Sequence, residues 1–129
     1  MAAASGPGSR IILLGQNLFF QGRVEMVAEP LGYSVRQANT EADFWDSYAD
    51  GETELVLVDL EGDAATWSSV LTALGQKTAE GESGGPRIIA FGPHEDTATM
   101  EKAAALGAQQ TLNKGRFSAT LGEIVGGEG

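Results

Sequence analysis

Glu54-Leu55-Val56-Leu57-Val58-Asp59-Leu60 decides how the rest of this chain is read. The run is apolar and rich in β-branched residues, and nothing polar interrupts it until it reaches a carboxylate. A short run without alternation is a strand buried on both faces, which places it in the middle of a parallel sheet between two layers of helices. Asp59 then lies at the carboxyl end of a central strand, the edge where open α/β sheets place their ligand sites.

Outward from that strand the chain alternates between two periods. Arg10 to Leu14 (RIILL) is a first buried strand that stops at Gly15-Gln16-Asn17. Phe20, Val24, Val27, Ala28 and Leu31 then recur at helical spacing, with Pro30 near the end and Gly32 as the stop. Tyr33 to Gln37 alternates apolar and polar, as an outer strand should. Asn39 or Thr40 caps a second helix with Phe44, Trp45 and Tyr48 inward, closed at Asp50-Gly51. Beyond Glu61-Gly62-Asp63 a third helix carries Trp67, Val70, Leu71 and Leu74, and Gly75 to Gly85 reads as a long exposed loop.

Pro86 precedes a fourth strand, Arg87 to Phe91, and Gly92-Pro93-His94 is the loop at its carboxyl end. Asp96 or Thr97 caps a fourth helix bearing Met100, Ala103, Ala104 and Leu106, which Gly107 closes. Gln109 to Leu112 makes a fifth strand, Lys114-Gly115-Arg116-Phe117 a loop, and Ser118 the cap of a last helix with Leu121, Ile124 and Val125 inward. Five strands alternating with five helices predict an α/β fold: a five-stranded parallel sheet in the order 2-1-3-4-5, with helices on both faces and right-handed crossovers. Residues 1–9 read as a flexible N-terminal leader, 10–125 as the domain and 126–129 as a flexible tail.

Composition narrows the function. A chain of 129 residues fits one domain with a sizeable core, and with no cysteine it has neither thiol chemistry nor Cys-ligated zinc. No apolar run approaches the roughly 20 residues of a membrane span, and no secretory segment is recognisable, so a soluble cytoplasmic protein is expected. Eight Lys and Arg against eighteen Asp and Glu give a net charge of -10 with no basic cluster, which argues against nucleic acid and membranes as partners.

The order and spacing of four segments resemble the receiver domains of two-component signalling. They are Leu55 to Leu60 as the acceptor strand, Pro86 to Phe91 as the fourth strand, Ala103 to Ala108 as the helix-to-strand signature, and Lys114 with the loop after it. The resemblance implies a flavodoxin-like receiver fold across Arg10 to Val125. In that family an aspartate accepts a phosphoryl group with the help of magnesium and a lysine, which neutralise charge that would otherwise repel the incoming group. Asp59 matches the phosphoacceptor and Lys114 the lysine. The acidic pair falls on Gly15-Gln16, the hydroxyl residue on Gly92, and the proline after the lysine on Gly115, none of which carries the required group.

The resemblance therefore implies an atypical, or pseudo-, receiver: a stand-alone, non-enzymatic protein-interaction module in bacterial signalling or regulation, with no cofactor, no metal and no metal-dependent phosphotransfer. A homodimer through the face of the fourth helix, fifth strand and fifth helix is an associated expectation, and that face carries Lys102, Gln109, Gln110 and Arg116. Two alternatives stand beside it. One is a phospho-accepting receiver that uses Asp59. The other is a flavodoxin-like small-ligand binder, which would lack a glycine-rich phosphate loop, since Gly15 stands alone after the first strand.

Other residues divide between a site and a structural role. Asp59 either caps the loop that follows it or pairs with Lys114. Glu61 and Asp63 form a displaced cation site with Asp59 or a solvated acidic loop. His94, the single histidine, is a pH-sensitive or metal-binding group or a loop residue bonded to a neighbouring cap. Gly15, Gly92 and Gly115 surround Asp59, opening a pocket or allowing tight turns through positive φ. Phe19 and Phe20 are adjacent and cannot share a helix face, so Phe19 is a candidate partner contact.

Overall fold

The computed structural model describes residues 10–48, 52–79, 86–93 and 95–126. Five strands form one all-parallel sheet: β1 (Arg10–Leu14), β2 (Ser34–Ala38), β3 (Thr53–Asp59), β4 (Arg87–Gly92) and β5 (Gln110–Asn113), in the order β2-β1-β3-β4-β5. Between them run α1 (Leu18–Ala28), α2 (Glu41–Ser47), α3 (Ala64–Ala79) and α4 (Thr97–Ala105), and after β5 come α5 (Lys114–Ala119) and α6 (Leu121–Gly126). The expected fold class and strand order are thus the ones observed.

Strand alternation creates two cores. Ile12, Leu14, Val56, Val58, Ile88 and Ala90 face one side and pack with residues of α2, α3 and α4, including Phe44, Trp67 and Ala103. Their neighbours Ile11, Leu13, Leu55, Leu57, Ile89 and Phe91 face the other side, under α1, α5 and α6. Leu55, Val56, Leu57 and Val58 are all fully buried. Each such side chain contributes about 1.5–3 kcal/mol of hydrophobic stabilisation, which is why this run cannot sit at an edge. β3 pairs with β1 on one side and β4 on the other, and Asp59 lies opposite Phe91.

Local capping fixes several helix starts. Asn17 Oδ1 accepts from the Phe20 amide at 3.2 Å and begins α1, while Thr40 Oγ1 accepts from the Asp43 amide at 3.1 Å and begins α2. Asp96 Oδ1 accepts from the Thr99 amide at 3.3 Å and begins α4. Thr40 and Asp96 are thus the caps rather than Asn39 and Thr97. The expected stop at Asp50-Gly51 falls outside the described residues.

Three segments differ from expectation. α3 continues through Gly75 to Ala79, which were expected in the loop, because a lone glycine costs a helix only about 1 kcal/mol; the rest of that expected loop, residues 80–85, lies outside the described residues. Leu31 belongs to a short 3₁₀ turn, Glu29–Leu31, and is exposed rather than inward. Lys114-Gly115-Arg116-Phe117 is helix, not loop. Asn113, not Ser118, is its cap, its Oδ1 accepting from the Arg116 amide at 2.8 Å. The early start carries Phe117 onto the core, stacked on Phe91 with centroids 4.0 Å apart and edge-on to Phe20. At Thr120 the backbone leaves helical geometry and the chain restarts as α6, with Leu121, Ile124 and Val125 buried as expected.

Candidate functional site

β3 delivers Asp59 to the carboxyl edge of the sheet, where it is only 5% exposed. Its Oδ1 accepts from the Glu61 amide at 2.9 Å and its carbonyl accepts from the Gly62 amide at 3.0 Å, so it caps the turn that leads away from the strand. Burial pushes its carboxyl above the ordinary aspartate value. The Glu61 amide bond works against that shift, the Glu61 charge adds to it, and the Lys114 charge opposes it.

Lys114 does not bond to Asp59. Its ammonium pairs with the Glu61 carboxylate, so of the two expected roles for Asp59 the turn cap is realised and the pair with Lys114 is not. Both partners of the ion pair are partly exposed, which makes it a modest tether between the β3–α3 turn and the start of α5. Asp63 is committed as well: its Oδ2 accepts from the Thr66 amide at 3.0 Å and the Thr66 hydroxyl at 2.7 Å. Glu61 and Asp63 are thus exposed on an acidic turn, and each also has a partner within the chain.

Gly15 meets Asp59 across the β1–β3 boundary. Its φ is +154°, and a Cβ built there would lie 2.6 Å from the Asp59 Cβ and 3.4 Å from Asp59 Oδ2. Neither backbone nor space admits a side chain at this position. Gln37 Nε2 donates to the Gly15 carbonyl at 3.1 Å, and the Gly15 amide donates to the Ala38 carbonyl at 2.9 Å, so the turn is held on both sides. Gln16 is exposed beside it.

Gly92 and Gly115 behave differently from Gly15. Neither has positive φ, so the tight-turn reading holds for Gly15 alone of the three. A Cβ at Gly92 would press to 3.2 Å on the Leu60 Cβ, whereas Gly115 lies in α5, near Asn113 rather than Asp59. The cleft at Asp59 is lined by Leu14, Gly15, Gln16, Asn39, Asp63 and Trp67, among others, and its volume of about 10 Å³ suits one water-sized occupant. Sequence reasoning assigned Trp67 only to the core, where it is 98% covered, and passed over Asn39 and Thr66 as cleft residues. No local signal marks a residue as lining a cleft that three loops close.

Phe19 and Phe20 separate as helix geometry requires: Phe20 is buried and Phe19 is 63% exposed. Lys102, Gln109, Gln110 and Arg116 are all exposed on the α4–β5–α5 face. His94 lies outside the described residues. Among the described residues no helix is long and apolar enough to cross a membrane, and no three acidic or histidine side chains gather as a metal-binding group.

No family model and no curated protein is similar enough to this sequence to match it. Solved structures are. A response-regulator receiver domain from Clostridium thermocellum superposes with a TM-score of 0.72 at 15% identity, covering 93% of each chain. A response regulator from Burkholderia pseudomallei, solved with a phosphorylated aspartic acid, a calcium ion and citrate, superposes with a TM-score of 0.70 at 21% identity, over 91% of this chain and 66% of that one. A Saccharomyces cerevisiae receiver domain, solved in complex with a histidine phosphotransfer signalling protein, gives 0.68 at 14% identity over 84% and 79%. The chain has the fold of a response-regulator receiver domain.

Proposed function

We propose that this protein is a pseudo-receiver: a receiver fold used as a protein-interaction module in signalling or regulation, non-enzymatic and without metal-dependent phosphotransfer. The observation that carries the reading is the contact between Gly15 and Asp59. The position where a receiver would hold an acidic metal ligand is closed by the Asp59 side chain itself, at 2.6 Å from any Cβ. The donors that remain suit magnesium poorly. Asp59 is buried and bonded to the Glu61 amide, Asp63 is engaged by Thr66, and Gln16 brings only an amide, whereas magnesium demands carboxylate and water oxygens in near-octahedral array.

Two further features point the same way. Lys114 is occupied by Glu61, and Gly92, pressed against Leu60, has no hydroxyl to bond a phosphoryl oxygen. An interaction role is in keeping with the yeast receiver, which was solved bound to another protein. The exposed α4–β5–α5 face is the surface that the same proposal offers to a protein partner.

The test is incubation with acetyl phosphate and magnesium, followed by intact mass measurement of the parent protein and of Asp59→Asn. The reading expects no phosphoryl adduct on either. An adduct on the parent that disappears in Asp59→Asn would overturn it in favour of a phospho-accepting receiver.

A further inference from the structure

The large hydrophobic residues left exposed among the described residues all lie on α1 or in the turn that ends it: Leu18 at 71%, Phe19 at 63%, Met26 at 77% and Leu31 at 50%. Together they leave on the order of 500 Å² of apolar surface in water, at the upper end of what a monomer tolerates. Scattered exposed leucines need no explanation, but Leu18, Phe19 and Met26 exposed on one face of one helix do.

Gly22 sits in the middle of that face. It is helical, and a Cβ placed on it would meet nothing within 4 Å outside its own stretch of helix. No internal contact requires a glycine here, although a mid-helix glycine costs about 1 kcal/mol relative to alanine. What the missing side chain permits is a close approach from outside.

Leu18, Gly22 and Met26 are spaced four residues apart and form one ridge with a notch at its centre. The ridge is symmetric about Gly22. A second copy, related by a twofold axis and running in the opposite sense, sets Leu18 against Met26 of the partner subunit and brings the two Gly22 notches together. Arg23 flanks the ridge on one side and Glu25 and Glu29 on the other, so the ridge itself is uncharged although the whole chain carries -10. Two such patches face to face would bury at most about 1,000 Å², the size of a weak, reversible interface.

We infer that α1 is a self-association surface, through which two copies of this chain pair ridge to ridge with Gly22 at the crossing point. This surface is separate from the α4–β5–α5 face, whose exposed Lys102, Gln109, Gln110 and Arg116 are polar or charged. The patch is apolar and the chains repel one another, so the dimer tightens as salt rises, the reverse of a dimer held by ion pairs.

The test uses the full chain in sedimentation equilibrium over a range of concentration and salt. The parent is expected to dimerise reversibly, and Met26→Lys to raise the dissociation constant tenfold or more while leaving the circular dichroism spectrum unchanged. The absence of cysteine allows a geometric check that survives weak association. Under mild oxidation Gly22→Cys is expected to form a disulfide-linked dimer, whereas Met26→Cys and Gln110→Cys are not, because a disulfide needs Cα atoms within about 7 Å. A parent that stays monomeric throughout, a dimer indifferent to Met26→Lys, or crosslinking through residue 110 in place of 22 would overturn the inference.

Discussion

Replacing Gly15 with alanine is the sharpest single perturbation of the edge around Asp59. The added Cβ would stand 2.6 Å from the Asp59 Cβ, about 1 Å inside the separation at which two carbon atoms rest. Overpacking of that kind costs about 1–3 kcal/mol. The backbone adds a second cost, because φ of +154° is a region that side-chain-bearing residues occupy at about 1–3 kcal/mol. The sum, about 2–6 kcal/mol, is a large share of the 5–15 kcal/mol by which domains of this size are stable. It corresponds to a fall in Tm of about 8–24 °C. Urea unfolding followed by far-ultraviolet circular dichroism reads the loss as a shift in midpoint with the slope unchanged.

A double-mutant cycle separates the two costs. In an Asp59→Gly background the clashing Cβ is gone, and the penalty of Gly15→Ala should shrink by its steric part, about 1–3 kcal/mol. In an Asp59→Ala background the Cβ remains and the penalty should be undiminished. A Gly15→Ala protein within about 0.5 kcal/mol of the parent, or equal rescue in both backgrounds, would refute the steric reasoning.

Three other outcomes follow from the same contacts. Asp59 has a folded-state carboxyl held above the ordinary value by burial, so the unfolded chain releases its proton first, and the ionisation of Asp59 costs stability as pH rises above 3.8 and through the folded value. Asp59→Asn, which keeps an acceptor for the Glu61 amide, should therefore gain stability relative to the parent between pH 4 and 7 and lose that advantage in acid; a difference independent of pH in urea titrations would count against the burial. Phe117→Ala removes a fully buried ring stacked on Phe91 and should cost about 3–5 kcal/mol by the same assay, whereas a residue in the expected surface loop would cost almost nothing. Gly22→Ala should raise the stability of the monomer by about 0.5–1 kcal/mol at low protein concentration, since its Cβ enters open space; destabilisation would mean that the helix is not as described.

The amino-acid sequence by itself determined the architecture. A run such as Leu55 to Val58 has one low-energy destination, because only the middle of a two-layered parallel sheet removes both faces from water, and the 3.6-residue rows beside it leave each helix one side to bury. The place of Asp59 followed from the same run, since the strand ends there. Caps that act within three residues, such as Thr40 and Asp96, were legible to within one position.

The tertiary structure decided what surrounds Asp59. Glycine at position 15 reads in sequence as a missing carboxylate or an ordinary turn, and only the pairing of β1 with β3 shows that Asp59 occupies the space a side chain would need. Lys114 has two carboxylates in the same turn to choose between. The choice of Glu61 follows from the burial of Asp59, which leaves the shallower Glu61 carboxylate within reach at a smaller desolvation cost. The start of α5 after the Asn113 cap was likewise hidden, because Gly115 weakens the helical preference of Lys-Gly-Arg-Phe and the segment gains its helix from the burial of Phe117 between Phe20 and Phe91. Periodicity along the chain reports what each element does with water, whereas the contents of a site depend on distances between elements that periodicity does not encode.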